Sequence, residues 1–101
     1  MDLQLKNKTA LVTGASVGIG RGIAKALAAE GVRVAVSARR VDKLRELADE
    51  IVAAGGHAPV IIESDLYADD AAKRLAEAAL AGLGSVDILV NNAGGSRSFK
   101  E

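Results

Sequence analysis

Two kinds of segment alternate along the chain. Short apolar runs rich in Val, Leu, Ile and Ala are typical of buried parallel strands, and they predict four strands at 9–12, 32–37, 58–62 and 86–90. Between them, apolar residues recur every three or four positions, which is the spacing of an amphipathic helix. These segments predict helices at 18–30, from 42 to the glycine pair at 55–56, and at 69–81.

Finer features of the helices follow from the same spacing. Gly31 stands where the first helix needs a C-cap, and Asp42 is a good N-cap residue for the second. The second helix is expected to bury Leu44, Leu47, Ala48 and Ile51. The third is expected to bury Ala72, Leu75, Ala76, Ala79 and Leu80.

Strands separated by helices of this length favour right-handed crossovers and a parallel sheet. The expected fold class is therefore α/β, a Rossmann-type doubly wound sheet truncated to four strands in the order 3-2-1-4. The first two helices should cover one face and the third the other. Ligands of such sheets bind at the carboxyl ends of the strands where the order reverses, here strands one and four.

Composition narrows the function classes. The 101 residues suit one small domain, and 13 basic residues balance 13 acidic ones, which gives no indication of a nucleic-acid or membrane-surface partner. There is no cysteine, hence no disulfide and no thiolate metal site. The first residues lack a signal-peptide pattern and no apolar run reaches membrane length, so a cytoplasmic location is the default expectation.

A glycine-rich turn follows the first strand, with the sequence Thr-Gly-Ala-Ser-Val-Gly-Ile-Gly at 13–20. A turn of this kind at a helix N-terminus offers backbone N–H groups and the positive end of the helix dipole to an anion. A phosphate-binding loop of the P-loop type is excluded, because no Gly-Lys-Ser or Gly-Lys-Thr follows. A tight turn without a ligand remains the alternative.

A second polar turn, Asn91-Asn92-Ala93-Gly94, leaves the fourth strand, so it should lie at the same edge of the sheet. Together the two turns resemble the Thr-Gly-x-x-x-Gly-Ile-Gly and Asn-Asn-Ala-Gly motifs of the short-chain dehydrogenase/reductase family, in its classical branch. The resemblance implies that Asn91 ties the central strands together and that the Thr13 hydroxyl links the two turns. It also implies dinucleotide contacts from Gly14, Ser16, Val17, Gly18, Ile19, Gly20, Asn91, Ala93 and Gly94.

The end of the second strand bears on which cofactor binds. A carboxylate there would hold the ribose 2′-hydroxyl of NAD, whereas an arginine accommodates the 2′-phosphate of NADP. The chain has Ala38 where the family's NAD-preferring members carry Asp, followed by Arg39 and Arg40. We expect NADP, with Arg39 as the main phosphate ligand and Arg40 and Ser37 as helpers. The alternative is two solvated arginines that face nearby acidic residues.

Several single residues can be interpreted as structural or surface residues as well as functional ones. Asp65 suits a loop or a cap for the third helix, whereas by resemblance Asp65 and Leu66 would contact the adenine. Asp87 matches a family pattern and is interpreted as structural. His57, the only histidine, suits a surface position better than catalysis or metal binding.

The family's catalytic Ser and Tyr-x-x-x-Lys pair have no counterpart here. The only tyrosine is Tyr67, and four residues later comes Ala71. We therefore expect residues 1–101 to be the amino-terminal part of one incomplete dinucleotide-binding domain, inactive alone and prone to self-association. The parent, resembling 3-oxoacyl-acyl-carrier-protein reductases and expected to be a homo-oligomer, would transfer hydride between NADP(H) and a carbonyl or alcohol. A stand-alone regulatory nucleotide-binding module, or a scaffold that binds nothing, stays open.

Overall fold

A computed structural model of the chain describes residues 5–64 and 70–92. Within them strands and helices alternate. The elements are β1 (Thr9–Thr13), α1 (Gly18–Ala29), β2 (Arg33–Ala38), α2 (Val41–Ala53), β3 (Val60–Glu63), α3 (Ala71–Leu83) and β4 (Ile88–Val90). All strand pairs are parallel, and the order is β3-β2-β1-β4, which confirms the predicted fold class and topology.

The strand register brings the carboxyl ends of the strands to one level. Thr13 pairs with Ser37, and Ser37 pairs with Ile62. The ladder continues past the strand ends, because the Ala15 N–H donates to the Ser37 oxygen (3.1 Å) and the Ser64 N–H donates to the Ala38 oxygen (3.0 Å). The residues that follow β1, β2 and β3 therefore share one edge of the sheet.

The helices divide between the two faces of the sheet as predicted. Ala10 and Val12 of β1 contribute to a core built with α1 and α2, whereas Leu11 points to the opposite face and joins a smaller core with α3. This alternation is what a central strand buried on both faces requires. The α2 residues Leu44, Leu47 and Ile51 are buried as expected.

The start of α2 corrects one prediction. Asp42 lies within the first turn, and the N-cap position belongs to Arg40, whose side chain makes no capping hydrogen bond. The Asp42 carboxylate instead accepts hydrogen bonds from the Arg40 guanidinium. The Asp42 carboxylate is therefore bound to the Arg40 side chain, whereas the carboxylate of an N-cap residue would accept from backbone N–H groups.

The start of β3 is later than predicted. The strand begins at Val60, so Ala58 and Pro59 precede it. Proline has no N–H to donate to a ladder, which is consistent with its position just outside the strand. β4 is likewise shorter than predicted and begins at Ile88.

The buried face of α3 also differs from the prediction. The helix begins at Ala71 because Asp70 has a left-handed backbone with φ 58°. Its buried residues are spaced by four, at Ala71, Leu75, Ala79 and Leu83. Ala72 and Ala76 are exposed, as is Leu80 at 50% exposure. The apolar residues of α3 surround much of the helix, so periodicity alone did not identify the face that meets the sheet.

Asp87 joins the start of β4 to the start of β1, which supports its structural interpretation. Its Oδ2 accepts from the Thr9 N–H at 3.0 Å and from the Thr9 hydroxyl at 3.1 Å. These hydrogen bonds from Thr9 hold the pKa of the Asp87 carboxyl below its ordinary value. The Asp87 N–H also donates to the Thr9 oxygen at 3.0 Å, so backbone and side chain together join the two strand starts.

Candidate cofactor-binding site

The glycine turn between β1 and α1 depends on two left-handed residues. Gly14 has φ 63° and Gly18 has φ 65°, values that glycine adopts without the Cβ penalty of other residues. The N-cap of α1 is Val17, in extended conformation, and the first turn contains no acidic side chain. Within residues 5–64 and 70–92, neither a capping side chain nor a first-turn carboxylate therefore competes with a ligand for the first N–H groups of α1.

The space around the glycines tests whether a phosphate fits this turn. A Cβ placed on Gly18 would have no atom of the described residues within 4 Å, so none of them fills the space above the start of α1. Val17 and Ile19 stand on either side of Gly18 with 63% and 74% exposure. An anion reaching the N–H groups here would meet open space flanked by two apolar side chains, and the turn fits the phosphates of a dinucleotide.

Gly20 has a different role. A Cβ on Gly20 would lie 2.3 Å from the Gly14 oxygen and 2.7 Å from Nδ2 of Asn92. Asn92 in turn donates from Nδ2 to the Gly14 oxygen at 3.3 Å. The absence of a side chain at Gly20 therefore lets α1, the glycine turn and the segment after β4 come together.

The Thr13 hydroxyl joins the two turns, as the resemblance implied. It accepts from the Asn92 N–H at 2.8 Å, and its proton faces the Val90 oxygen at 3.3 Å and the Asn91 Oδ1 at 3.2 Å. Thr13 is 3% exposed. Both asparagines thus hold the end of β4 against the end of β1, although sequence reasoning had given this task to Asn91 and left Asn92 without a role.

The two arginines after β2 have different surroundings. Arg40 donates to Asp42 from Nε at 3.0 Å and from Nη2 at 2.8 Å. This pairing raises the pKa of Arg40 and lowers that of Asp42. Arg39 makes no ion pair with the residues that the structure describes and lines a cleft of about 530 Å³. Arg40 is thus paired with Asp42, whereas Arg39 is available to a ligand, and help from Arg40 in phosphate binding stays a prediction.

Ser37 differs from both arginines in its burial. It is 1% exposed, and its backbone oxygen accepts from the Ala15 N–H at the start of the glycine turn. Its assistance in phosphate binding stays a prediction. What the contacts show is a backbone link between the end of β2 and the glycine turn.

Arg21, in the first turn of α1, faces away from the anion site. Its guanidinium pairs with Glu50 of α2 and lies 3.5 Å from the Lys43 oxygen. Lys25 also reaches Glu50, with Nζ 3.0 Å from Oε1, and this hydrogen bond lowers the pKa of the Glu50 carboxyl. The charges of α1 are thus used to join α1 to α2.

Some predicted site residues lie outside the described residues. These are Asp65, Leu66, Ala93 and Gly94, together with Tyr67. Sequence reasoning in turn missed Glu63, Ser64 and Arg74, which line the cleft beside Arg39. Arg74 belongs to α3, and nothing in its local sequence distinguishes it from an ordinary exposed helical arginine.

Comparison with known proteins decides the family. Residues 8–101 match the family model for short chain dehydrogenases. The chain belongs to the short chain dehydrogenase family. This confirms the resemblance inferred from the two motifs.

Individual relatives show how much of a family member's length this chain covers. The chain is 51% identical over 94 residues to a short chain dehydrogenase of Pseudocercospora fijiensis, covering 93% of this chain and 30% of the relative. It is 47% identical over 89 residues to a 3-oxoacyl-[acyl-carrier-protein] reductase of Staphylococcus epidermidis, covering 87% and 36%. The chain therefore spans about a third of the length of these relatives.

A solved structure shows the same arrangement. The L-sorbose reductase of Gluconobacter frateurii, solved with NADPH and L-sorbose, superposes with a TM-score of 0.86 at 36% identity. The match covers 93% of this chain and 36% of that one.

In the part of the chain that the structure describes, no helix has the length and apolar character needed to cross a membrane.

Proposed function

We propose that this chain forms the NADP-binding part of a short chain reductase that transfers hydride between NADP(H) and a carbonyl or alcohol substrate. The observation that carries the proposal is Arg39. It stands at the carboxyl end of β2, level with the glycine turn, and has no acidic partner among residues 5–64 and 70–92. An arginine in this place suits a 2′-phosphate.

The glycine turn would hold the pyrophosphate. Its contacts would come from Gly14, Ser16, Val17, Gly18, Ile19 and Gly20, with the first N–H groups of α1 directed at the negative charge. The open space at Gly18 and the small residue at Gly20 support this assignment. The adenine would lie against Asp65 and Leu66, by resemblance to the family.

The segment after β4 would border the ribose and nicotinamide. Thr13 holds Asn91 and Asn92, the first two residues after β4, against the glycine turn, which supports this assignment. The bound nicotinamide supplies the hydride. The chain's own residues bind and orient the dinucleotide, with Ala93 and Gly94 as further proposed contacts.

The substrate is proposed only as a carbonyl or alcohol. The relatives include a 3-oxoacyl reductase and an L-sorbose reductase, whose substrates differ widely. The resemblance to 3-oxoacyl reductases is therefore kept as one proposal within this class. Residues 1–101 would be the amino-terminal part of one dinucleotide-binding domain, and the cytoplasmic location and homo-oligomeric parent stay predictions.

The cofactor assignment is tested by calorimetric titration of the purified chain with NADP and NAD. We expect NADP to bind more tightly, and Arg39→Gln to remove roughly tenfold to a hundredfold of that preference, the worth of one charge-assisted hydrogen bond. Arg33→Gln, which changes an exposed arginine at the opposite end of β2, is the matched control for net charge. Equal affinity for the two cofactors in the unmodified chain would refute the assignment of Arg39.

A regulatory nucleotide-binding module remains a second candidate, because Tyr67 lacks the lysine four residues later that the family's proton donor requires. Both candidates predict cofactor binding. They differ in whether the gene also encodes the family's Tyr-x-x-x-Lys pair. We expect no NADPH oxidation by the 101-residue chain with simple ketones or acetoacetyl esters. Activity that copurifies with the chain and is abolished by Gly18→Asp would contradict this expectation.

A further inference from the structure

The cleft beside Arg39 has a composition suited to a nucleotide. Its volume of about 530 Å³ falls within the roughly 300–1,000 Å³ of typical small-molecule sites. Its walls include Ile62, Ala71 and Leu75, so part of its lining is apolar. A ligand with one aromatic end and one charged end would find both kinds of surface here.

The charges of the cleft come from three residues. Arg39 follows β2, Arg74 belongs to α3, and Glu63 is the last residue of β3, the edge strand next to β2. Two guanidinium groups that line one cleft are well suited to a phosphate, since each can donate two hydrogen bonds to its oxygens. The carboxylate of Glu63 in the same cleft repels an anion and so weakens its binding.

We propose that Arg74 is a second cation for the phosphate that Arg39 binds, so that an adenosine 2′-phosphate is held between the end of β2 and α3. The inference rests on the proposed function, because it concerns the same cofactor. Arg74 is a specificity-determining residue in this arrangement. It distinguishes phosphorylated from unphosphorylated ribose and has no part in the chemistry of hydride transfer.

Asp70 sets the strength of this contact. Arg74 Nε lies 3.0 Å from Asp70 Oδ1, one turn earlier at the start of α3. Both side chains are largely exposed, at 65% and 62%, and ion pairs at such positions are weak. A phosphate dianion therefore competes successfully with Asp70, although the competition lowers the benefit that Arg74 brings.

The experiment compares adenosine 2′,5′-bisphosphate with AMP, two probes that differ only by the 2′-phosphate. Each is titrated calorimetrically into the 101-residue chain, and the ratio of the two affinities is the readout. Arg74→Gln is expected to lower this ratio about threefold to tenfold and to leave AMP binding unchanged. Arg33→Gln, an exposed arginine at the opposite end of β2, controls for net charge and should leave the ratio unchanged.

Three further variants sharpen the test. Asp70→Asn should raise the ratio by freeing Arg74, and asparagine tolerates the left-handed backbone at this position. Glu63→Gln should also raise it by removing the opposing charge. The double variant Arg39→Gln, Arg74→Gln should lower the affinity ratio by less than the product of the two single effects, because both side chains bind one phosphate.

The outcomes separate the inference from the proposed function. If Arg39→Gln lowers the ratio and Arg74→Gln does not, the inference is overturned while the NADP assignment stands. If the unmodified chain binds neither probe or shows no preference for the bisphosphate, both are overturned. If Glu63→Gln weakens AMP binding, the cleft holds an unphosphorylated ribose through Glu63, and the inference fails.

Discussion

Replacing Gly20 by alanine tests whether close contact between α1 and the two turns governs the stability of the domain. The added Cβ would lie 2.3 Å from the Gly14 oxygen and 2.7 Å from Asn92 Nδ2, well inside normal contact distance. Both neighbours belong to segments that hydrogen bonds hold in place. The strain must therefore be relieved by moving the helix or breaking the Asn92 hydrogen bond.

The magnitude follows from three contributions. Overpacking of a close contact costs about 1–3 kcal/mol. Loss of the hydrogen bond from Asn92 to the Gly14 oxygen adds about 1 kcal/mol. Alanine regains about 1 kcal/mol through its higher helix propensity. The expected net loss in the free energy of unfolding is about 1–3 kcal/mol.

Gly22→Ala is the matched control. Gly22 lies two residues further along α1, and a Cβ there would have no atom within 4 Å. This variant should gain up to about 1 kcal/mol from helix propensity alone. Urea unfolding followed by circular dichroism, at several protein concentrations, measures both variants. A Gly20→Ala chain as stable as the Gly22→Ala chain would refute the reasoning.

Three other predictions concern β4 and its attachment to β1. Thr13→Val should destabilise the fold by about 1–2 kcal/mol in urea unfolding through loss of buried hydrogen bonds, and Thr13→Ser should recover most of that loss. The lowered pKa of Asp87 means that its stabilisation is present above pH 3.8 and is lost as pH falls through the folded-state pKa; Asp87→Asn should flatten this acid limb of the stability curve. Leu89 is 63% exposed on edge strand β4 and should drive self-association. Leu89→Lys should therefore lower the mass measured by sedimentation more than Val52→Lys, which changes a residue 51% exposed on α2. A chain monomeric before mutation would contradict the last prediction.

The topology could be predicted because each level of the sequence agrees with it. Apolar runs separated by amphipathic helices permit few arrangements other than a parallel sheet, and the two polar turns fall at the strand ends where its order reverses. The glycine turn could be predicted because left-handed backbone at Gly14 and Gly18 requires the residue type found there. These features are encoded locally.

Features set by distant contacts could not be predicted. The buried face of α3 depends on how the helix lies on β2 and β3, since apolar residues extend around it. Arg40 pairs with Asp42, whereas Arg39 has no ion pair within the part of the chain that the structure describes, and adjacent identical residues do not reveal this difference. Arg74 reaches the cleft only because α3 crosses the sheet beside the end of β3.

The attachment of β4 to β1 at both ends has a kinetic consequence. Thr9 contacts Asp87, and Thr13 contacts Asn91, each across 78 positions of sequence. Closing a loop of that length costs about 4 kcal/mol of chain entropy beyond a constant, whereas β1 and β2 are joined by a much shorter crossover. We therefore expect β4 to dock after the β1–β2 unit has formed, since long-range closure is rewarded only once its contacts exist. The crevice between the two turns would then be the last part of the molecule to assemble, and a dinucleotide that touches both turns would slow the opening of β4.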